Sequence, residues 1–385
     1  MTAITGLSGL RPTADAIARV TVPPYDVIKP GSALERTLQQ RPDSLWHVTL
    51  GQDPITCLER LKATVLSADA EPCYYVYEQR WGAGQMRLGV FAAVAVTPYA
   101  QGQVIRHEKT FDDKVQGRLQ LTKATGLTLE PVFLLTRSAI TPVLARVARG
   151  MPTYAFTSDF AGEGELHGIA NRLFRIPASS PDGQELQTLV GHHPLYIADG
   201  HHRYHAALLG GQTHCMAYLV EQATIQAYNR VIRGVRPFAE IRDRLKLTPA
   251  TWATPAKHQF CIYHQGRAWT LGAGTVPADV VGRLDCSILE RELYPLLGLE
   301  HHMIKDHHHF DYYPEQDLAA MRAVVDRGDY DLAVALHPVS IDELVAVADA
   351  GMTNGDLVMP EKSTFFAPKI LSGVLLYPHA YAAHG

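Results

Sequence analysis

The segment with the clearest chemical character is Asp199-Gly200-His201-His202-Arg203. Four apolar residues precede it, which is too few for a helix, and a helical pattern of apolar residues follows it. Because an Asp-Gly pair favours a tight turn, the sequence predicts a strand, a turn and a short helix. The first helical turn offers unpaired backbone N–H groups and the positive end of the helix dipole, which favour an anion. With two imidazoles and a guanidinium there, the helix start is predicted to bind phosphate.

Asp199 would lie at the carboxyl end of the predicted strand, beside the phosphate. A carboxylate there can hold Mg²⁺ or accept a proton, while Gly200, His201, His202 and Arg203 would contact the phosphates of a cofactor. The alternative is an ordinary helix start, with Asp199 as the N-cap residue and the polar residues after it in solvent.

Asp26 is a second candidate carboxylate, directly after Pro23-Pro24-Tyr25. Pro24 fixes its own backbone and disfavours the α conformation at Pro23, so Asp26 follows a rigid, extended segment. A catalytic role and the capping of a turn explain this carboxylate equally well.

His107-Glu108-Lys109-Thr110 directly follows a predicted strand and precedes a basic helix. The four residues supply an acid, a base and a cation that can bind phosphate. Glu108 and Lys109 are therefore candidate catalytic residues and His107 a candidate cofactor ligand, with a solvated helix face as the alternative.

Lys362-Ser363-Thr364 is a third polar cluster, between Pro360 and Pro368. The prolines restrict the loop, so the cluster is predicted to bind the cofactor or substrate as an anion clamp. Glycines do not precede Lys362 at the spacing of a Walker A loop, which excludes that kind of nucleotide site.

Histidines are concentrated between His301 and His309. Consecutive side chains on an extended segment alternate between faces, so His307, His308 and His309 could not all face one ion. A surface hairpin is therefore favoured over a metal site.

The composition restricts the class of protein. Charged residues make up 19% of the 385 residues and the formal net charge is −4, which argues against general nucleic-acid or membrane-surface binding.

The chain starts without a signal sequence and contains no apolar run long enough for a membrane helix, so a cytoplasmic protein is expected. Five scattered cysteines without C-x-x-C spacing predict free thiols.

Hydrophobic periodicity predicts helices and strands along the whole chain, including a strand ending near 46–48. Alternating strands and helices in the last third predict an α/β layer. The segment 246–258, rich in Thr and Pro, is the predicted linker. It divides the chain into a catalytic core, 1–245, and a C-terminal α/β domain, 246–385.

Four motifs resemble domain-of-unknown-function family 1015 over almost the whole chain: P-P-Y-D-V-I (23–28), H-E-K-T (107–110), A-D-G-H-H-R-Y (198–204) and M-P-E-K-S-T (359–364). The D-G-H-H-R core is also similar to that of the free serine kinases of the ParB and sulfiredoxin-like superfamily. In those kinases the motif binds the phosphates of ADP or ATP, and its Asp takes part in phosphoryl transfer.

The resemblance implies a mixed α/β (α+β) fold with a ParB/serine-kinase-like core and a β-rich insertion at about 50–180. It implies nucleotide and catalytic roles for Asp199, His201, His202 and Arg203. Asp26 could supply the acidic residue that such kinases use from an N-terminal segment. Where the family usually has an acidic residue before the arginine downstream of H-E-K-T, this chain has Gly117-Arg118.

The predicted function is an ADP- or ATP-dependent, Mg²⁺-dependent kinase for the hydroxyl of a small free amino acid such as serine or threonine. Arg203 and His201 would bind the donor phosphates, and Lys109 and Lys362 the transferred group. One alternative is a phosphatase or nucleotide hydrolase with water as acceptor. Another is a ParB-like nucleotide-binding regulatory protein. The expected partner is a small-molecule substrate, with a homodimer as a further option and no nucleic acid or membrane.

Overall fold

The structure is a computed structural model that describes residues 4–110, 112–160 and 166–379, without the side chains of residues 112 and 113. Its α-helices are α1 Ile17–Val20, α2 Ala33–Gln40, α3 Trp46–Thr49, α4 Pro54–Thr64, α5 Asp112–Thr125, α6 Thr141–Val147, α7 Pro181–Val190, α8 His201–Leu209, α9 Phe238–Ile241, α10 Asp285–Glu292, α11 Leu318–Asp326 and α12 Ile341–Thr353.

The strands in these ranges confirm a mixed α/β fold. They are β1 Ile4–Thr5, β2 Leu10–Pro12, β3 Leu66–Ala68, β4 Cys73–Trp81, β5 Gln85–Ala95, β6 Val104–Ile105, β7 Leu127–Thr128, β8 Val132–Thr136, β9 Tyr154–Thr157, β10 Ala170–Pro177, β11 Leu195–Asp199, β12 His214–Val220, β13 Ile225–Gln226, β14 Tyr228–Ile232, β15 Leu247–Pro249, β16 Gln259–His264, β17 Arg267–Gly272, β18 Phe310–Pro314, β19 Leu332–Ala335, β20 Phe365–Phe366 and β21 Tyr377–Pro378.

The chain forms two compact units, which differ from the predicted division. Unit 1 comprises Met1–Ala223 with Pro368–Gly385, and unit 2 comprises Thr224–Ala367. The boundary therefore precedes the predicted linker, where β15 pairs with β17 inside unit 2. The return of the C-terminal segment to unit 1 has no signal in the local sequence pattern.

Unit 1 contains a mixed sheet in the order β6-β11-β8-β12-β5-β4-β10-β9, with β1 paired to β5. Strands β4, β5 and β10 lie within the predicted insertion at about 50–180, yet they belong to the same sheet as β11. The β-rich segment is thus part of the layer that carries the Asp199 motif. β11 pairs in parallel with β6 and antiparallel with β8, which fixes the motif between two neighbouring strands.

The core of unit 1 lies against this sheet. Val90, Leu134, Ile197 and Leu219, from four of its strands, are fully buried in one cluster. Each such side chain contributes about 1.5–3 kcal/mol when it leaves water. On helix α5, Val115 and Leu119 pack against α8. The helix after the Asp199 motif is therefore held by the sheet and by α5.

Unit 2 contains a six-stranded sheet in the order β15-β17-β16-β19-β14-β18. Ile232, Phe260 and Val334 from this sheet pack with Ile288 and Leu293 in a buried cluster. The predicted alternation of strands and helices in the last third corresponds to this sheet and to helices α10, α11 and α12.

The predicted strand near 46–48 is wrong, because this segment is helix α3. Leu45 and Val48, three residues apart, are both buried, which is helical spacing. In addition, Ser44 Oγ accepts a hydrogen bond from the Trp46 N–H at 3.2 Å and so favours a turn at this point.

The histidine-rich segment is a 3₁₀ helix, His301–Lys305, followed by a turn, and not an extended hairpin arm. His301, His302, His307 and His308 are exposed, which places the segment on the surface as predicted. Separately, no helix in the described ranges combines the length and apolar character that a membrane crossing needs.

Candidate functional site

The site is built on the junction between β11 and α8, which confirms the predicted strand, turn and helix. Asp199 ends the strand, Gly200 adopts a φ of 92°, and the helix begins at His201. The left-handed conformation favours glycine, and a Cβ atom at Gly200 would lie 2.9 Å from Arg203 Nε, so the Arg203 side chain would have to shift. The N-cap residue is Gly200 and no side chain caps the helix, so the alternative of Asp199 as N-cap is wrong.

Asp199 is held between two cations from different parts of unit 1. Arg203 Nη2 donates to its Oδ2 at 2.5 Å, and Lys369 Nζ donates to its Oδ1 at 3.5 Å. Arg203 also donates to the backbone oxygen of Pro131. The side chains of Asp199, Arg203 and Lys369 are 28%, 13% and 10% exposed, so the cluster is only partly open to solvent.

These contacts fix the charge states. Burial acts to raise the pKa of Asp199, but Lys369 and Arg203 outweigh it and hold that pKa well below its usual range. Burial lowers the pKa of Arg203, yet Asp199 and Glu130 raise it above its usual value. Asp199 is therefore ionised at neutral pH and is a weak proton acceptor. Its contribution is to order two cations at the start of α8.

His107, Glu108 and His201 form a second cluster next to this junction. The backbone N–H of His107 donates to His201 Nε2 at 3.4 Å, and the two imidazole rings meet edge to face at 4.5 Å. Glu108 Oε2 lies 3.7 Å from His201 Nδ1, and its Oε1 lies 3.9 Å from His107 Nε2. Burial lowers the pKa of His107 to about 4 and that of His201 well below its usual value, so both imidazoles are neutral at pH 7.

Asp26 lies near Arg203, because its charge is one of the causes that raise the pKa of this guanidinium. Burial lowers the pKa of His202 to about 4, and the charge of Asp26 opposes that shift. Asp26 is exposed. Glu130, which is buried, anchors the neighbouring segments: its Oε1 accepts hydrogen bonds from the Tyr25 N–H at 3.2 Å and from Ser372 Oγ at 2.9 Å. The structure thus brings the predicted carboxylate to the predicted phosphate site.

A cavity extends from Arg203 between α5, α8 and β12. Its polar lining includes Arg118, Glu130 and Gln212, and Leu121 and Cys215 contribute to the remainder. The guanidinium carbon of Arg118 lies 3.8 Å from the centroid of the Tyr25 ring. The cavity therefore places polar and apolar side chains together beside Arg203.

The remaining predicted site residues have different surroundings. Lys109 is exposed. Lys362, Ser363 and Thr364 belong to unit 2. There the Lys362 ammonium lies 5.4 Å and 5.7 Å from two tyrosine ring centroids, and Ser363 Oγ donates to the Pro360 oxygen at 2.5 Å.

Sequence reasoning missed Lys369 and Glu130. Lys369 is 170 residues from Asp199 along the chain, and its only local signal is that it follows Pro368. Glu130 lies in no motif. Both residues acquire their roles only through the tertiary fold, which the sequence pattern does not reveal.

The donor groups decide which metal could be held. Asp199 has a cationic partner on each carboxylate oxygen, so it does not fit a Mg²⁺ ligand in this arrangement. Asp26, exposed and near Arg203, has the oxygen donors that Mg²⁺ prefers.

The fold and these contacts define a mixed α/β protein with a charged strand-to-helix junction as its candidate site. The chain belongs to the family described as Protein of unknown function (DUF1015), whose model matches residues 4–287. This confirms the family predicted from the motifs, and the matched region ends before M-P-E-K-S-T at 359–364. No curated protein matches the chain.

Solved structures similar to this chain include a free serine kinase in complex with AMP, with 13% identity, a TM-score of 0.39 and coverage of 74% of this chain and 92% of that chain. A free serine kinase variant in complex with ADP has 11% identity, a TM-score of 0.37 and the same coverage. A conserved hypothetical protein from Pyrococcus furiosus has 13% identity, a TM-score of 0.36 and coverage of 74% and 95%. Similarity this low carries no information on activity or ligand.

Proposed function

We propose that the protein is a phosphotransferase that moves a phosphoryl group from ADP or ATP to the hydroxyl of a small free amino acid such as serine or threonine. The observation that carries this proposal is the ionised Asp199, held by Arg203 and Lys369 at the start of α8. Phosphoryl transfer depends mainly on positioning and on neutralisation of phosphate charge. A guanidinium, an ammonium and a helix N-terminus together supply that charge.

Asp199 supports this role by ordering its two partners before a nucleotide binds. A buried or half-buried cation that is already oriented needs little reorganisation when phosphate charge develops. Gly200 lets the backbone turn without a Cβ atom that would displace Arg203. The first backbone N–H groups of α8 then face the same anion as the two cations.

The transfer step requires a proton acceptor. The acceptor hydroxyl oxygen forms the new P–O bond, the P–O bond to the donor nucleotide breaks, and its electron pair leaves with the nucleotide. The hydroxyl proton goes to a carboxylate. Asp199 is too weak a base, so exposed Asp26 is the proposed acceptor and Glu108 is the second candidate. A divalent ion, when bound, would supply additional screening of the phosphates.

Hydrolysis of the nucleotide is the rival function. The exposure of Asp26 favours it, because water could reach the proposed acceptor position as readily as an alcohol. A regulatory nucleotide-binding protein is the third option and would show binding without turnover.

One assay separates the three functions. The full-length protein is incubated with Mg²⁺, ADP or ATP, and serine, threonine, homoserine or ethanolamine, and products are detected by mass spectrometry. A kinase gives a phosphorylated acceptor and turns over faster when that acceptor is present. Release of inorganic phosphate at the same rate with and without acceptors would identify a hydrolase. Nucleotide binding without either product would overturn the proposed activity.

A further inference from the structure

A cluster of ligand-type atoms lies beside the proposed phosphate site. His107, Glu108 and His201 each offer one nitrogen or oxygen atom, and these three atoms lie within 4.8 Å of one another. Among the histidine, cysteine and acidic side chains in the described part of the chain, this is a group with the spacing of a metal site.

The backbone explains why the three residues converge. Strands β6 and β11 are parallel neighbours, with Val104 opposite Leu195 and Ile105 opposite Tyr196. Parallel strands end at the same edge of a sheet, so the segments that follow them meet there. His107 and Glu108 follow β6, and His201 begins α8 directly after β11.

His107 supplies an independent observation. Its side chain is 0% exposed, and neither ring nitrogen makes a hydrogen bond of ordinary length and angle among the described residues, although the Ile197 backbone lies beside the ring. Buried polar side-chain atoms in proteins almost always have such a partner. The contact of Glu108 Oε1 with His107 Nε2 is 3.9 Å, too long for a hydrogen bond but short enough for both atoms to bind one ion.

We propose that His107, Glu108 and His201 bind a divalent transition-metal ion of the zinc class. Two imidazoles and one carboxylate are the donor set of open zinc sites, in which the remaining position holds water or a ligand. Imidazole suits zinc, copper, iron and nickel, whereas Mg²⁺ prefers oxygen donors. The inference goes beyond the proposed function, because it requires neither a nucleotide nor turnover.

Metal binding has one structural consequence. His201 faces Glu108 with Nδ1, and its Nε2 accepts the long 3.4 Å hydrogen bond from the His107 N–H. If Nδ1 of the neutral ring binds the ion, Nε2 carries the proton, so this hydrogen bond is given up.

The test is metal binding by the full-length protein after treatment with a chelator. Titration with Zn²⁺, followed by desalting and elemental analysis, should give one tightly bound ion per chain, and Mg²⁺ should not compete for it. Glu108→Gln should weaken binding of Zn²⁺ by about 100-fold, since loss of a direct ligand costs more than loss of an outer hydrogen bond. Cobalt(II) should give visible absorption bands of an imidazole-bound ion, and Glu108→Gln should change them.

The surface histidines provide the matched control. A variant in which His301, His302 and His307 are all changed to Ser should bind the tight ion as wild type does. Glu108→Gln keeps the size of a half-buried side chain, so its folding can be verified by circular dichroism. The proposal is overturned if wild type binds no Zn²⁺ tightly, if Glu108→Gln binds it equally well, or if only the surface variant loses it.

Discussion

At the scale of single residues, the site depends on two hydrogen bonds that the Arg203 guanidinium donates from different nitrogen atoms. One nitrogen binds Asp199 Oδ2 at 2.5 Å and another donates to the Pro131 oxygen. Hydrogen bonds to an ionised group are stronger than neutral ones. A lysine at this position would keep the charge but could not make both contacts with one fixed geometry.

Changing Arg203 to Ala should therefore reduce nucleotide binding. The lost charge-assisted contact is worth about 1.5–3 kcal/mol, so the rise in Tm produced by ADP or ATP should become small. Arg146→Ala is the control, because Arg146 is an exposed arginine paired with Asp182 at 2.5 Å. The same nucleotide-induced shift in wild type and Arg203→Ala would contradict the phosphate site.

At the scale of secondary-structure elements, the turn between β11 and α8 depends on Gly200. Its φ of 92° is costly for other residues, and a Cβ atom there would displace the Arg203 side chain. Gly117, in helix α5, is the opposite case, because it is exposed and a Cβ atom there meets nothing within 4 Å.

Gly200→Ala should lower the free energy of unfolding by about 1–2 kcal/mol and also weaken nucleotide binding. Gly117→Ala should raise the same free energy by about 0.5–1 kcal/mol, since alanine favours helix. Chemical denaturation of both variants measures this contrast. Equal stability of Gly200→Ala and wild type would show that the turn tolerates a side chain.

Strand β4 contains a buried carboxylate that makes stability depend on pH. Glu78, with a side chain 3% exposed, accepts from Arg80 Nε at 2.8 Å and from Arg172 Nη1 at 3.1 Å. Burial acts to raise the pKa of Glu78, but the two arginines outweigh it and lower that pKa below 4.5. The folded pKa of Glu78 lies below its unfolded pKa, so the ion pairs stabilise the fold fully at pH values above the unfolded pKa. This stabilisation is lost as the pH falls through the folded pKa.

Glu78→Gln should consequently be less stable than wild type at about pH 7, and the difference should shrink on acidification below about pH 4. Glu59→Gln is the control, since Glu59 is exposed and pairs with Lys62 at 2.9 Å. Urea denaturation over this pH range gives the free energies of unfolding. A constant difference between Glu78→Gln and wild type at all pH values would contradict the ion-pair explanation.

At the scale of the whole molecule, the sequence revealed local elements better than long-range partners. The strand and helix around Gly200 were predictable, because apolar patterning and the Asp-Gly turn are local signals. Lys369 could not be predicted as a partner of Asp199, since only the return of the C-terminal segment to unit 1 brings it there. The convergence of His107 with His201 likewise requires the parallel pairing of β6 and β11.

The domain division was also not predictable from local sequence signals. Thr and Pro predicted a linker at 246–258, but pairing between β15 and β17 incorporates part of that segment into a sheet. Strand pairing over long sequence separations depends on burial of the whole sheet, which local composition does not encode.

The most direct test of the central claim is the rate of phosphorylated product formation by Asp199→Asn at saturating nucleotide and acceptor. Asn keeps the size of the side chain but removes the charge that orders Arg203 and Lys369. We expect kcat to fall by roughly 10²-fold or more, with a smaller loss of nucleotide affinity because Arg203 and Lys369 keep their charges. Asp182→Asn, which alters a surface ion pair, should keep the wild-type rate. An unchanged kcat in Asp199→Asn would contradict the assignment of this junction to phosphoryl transfer.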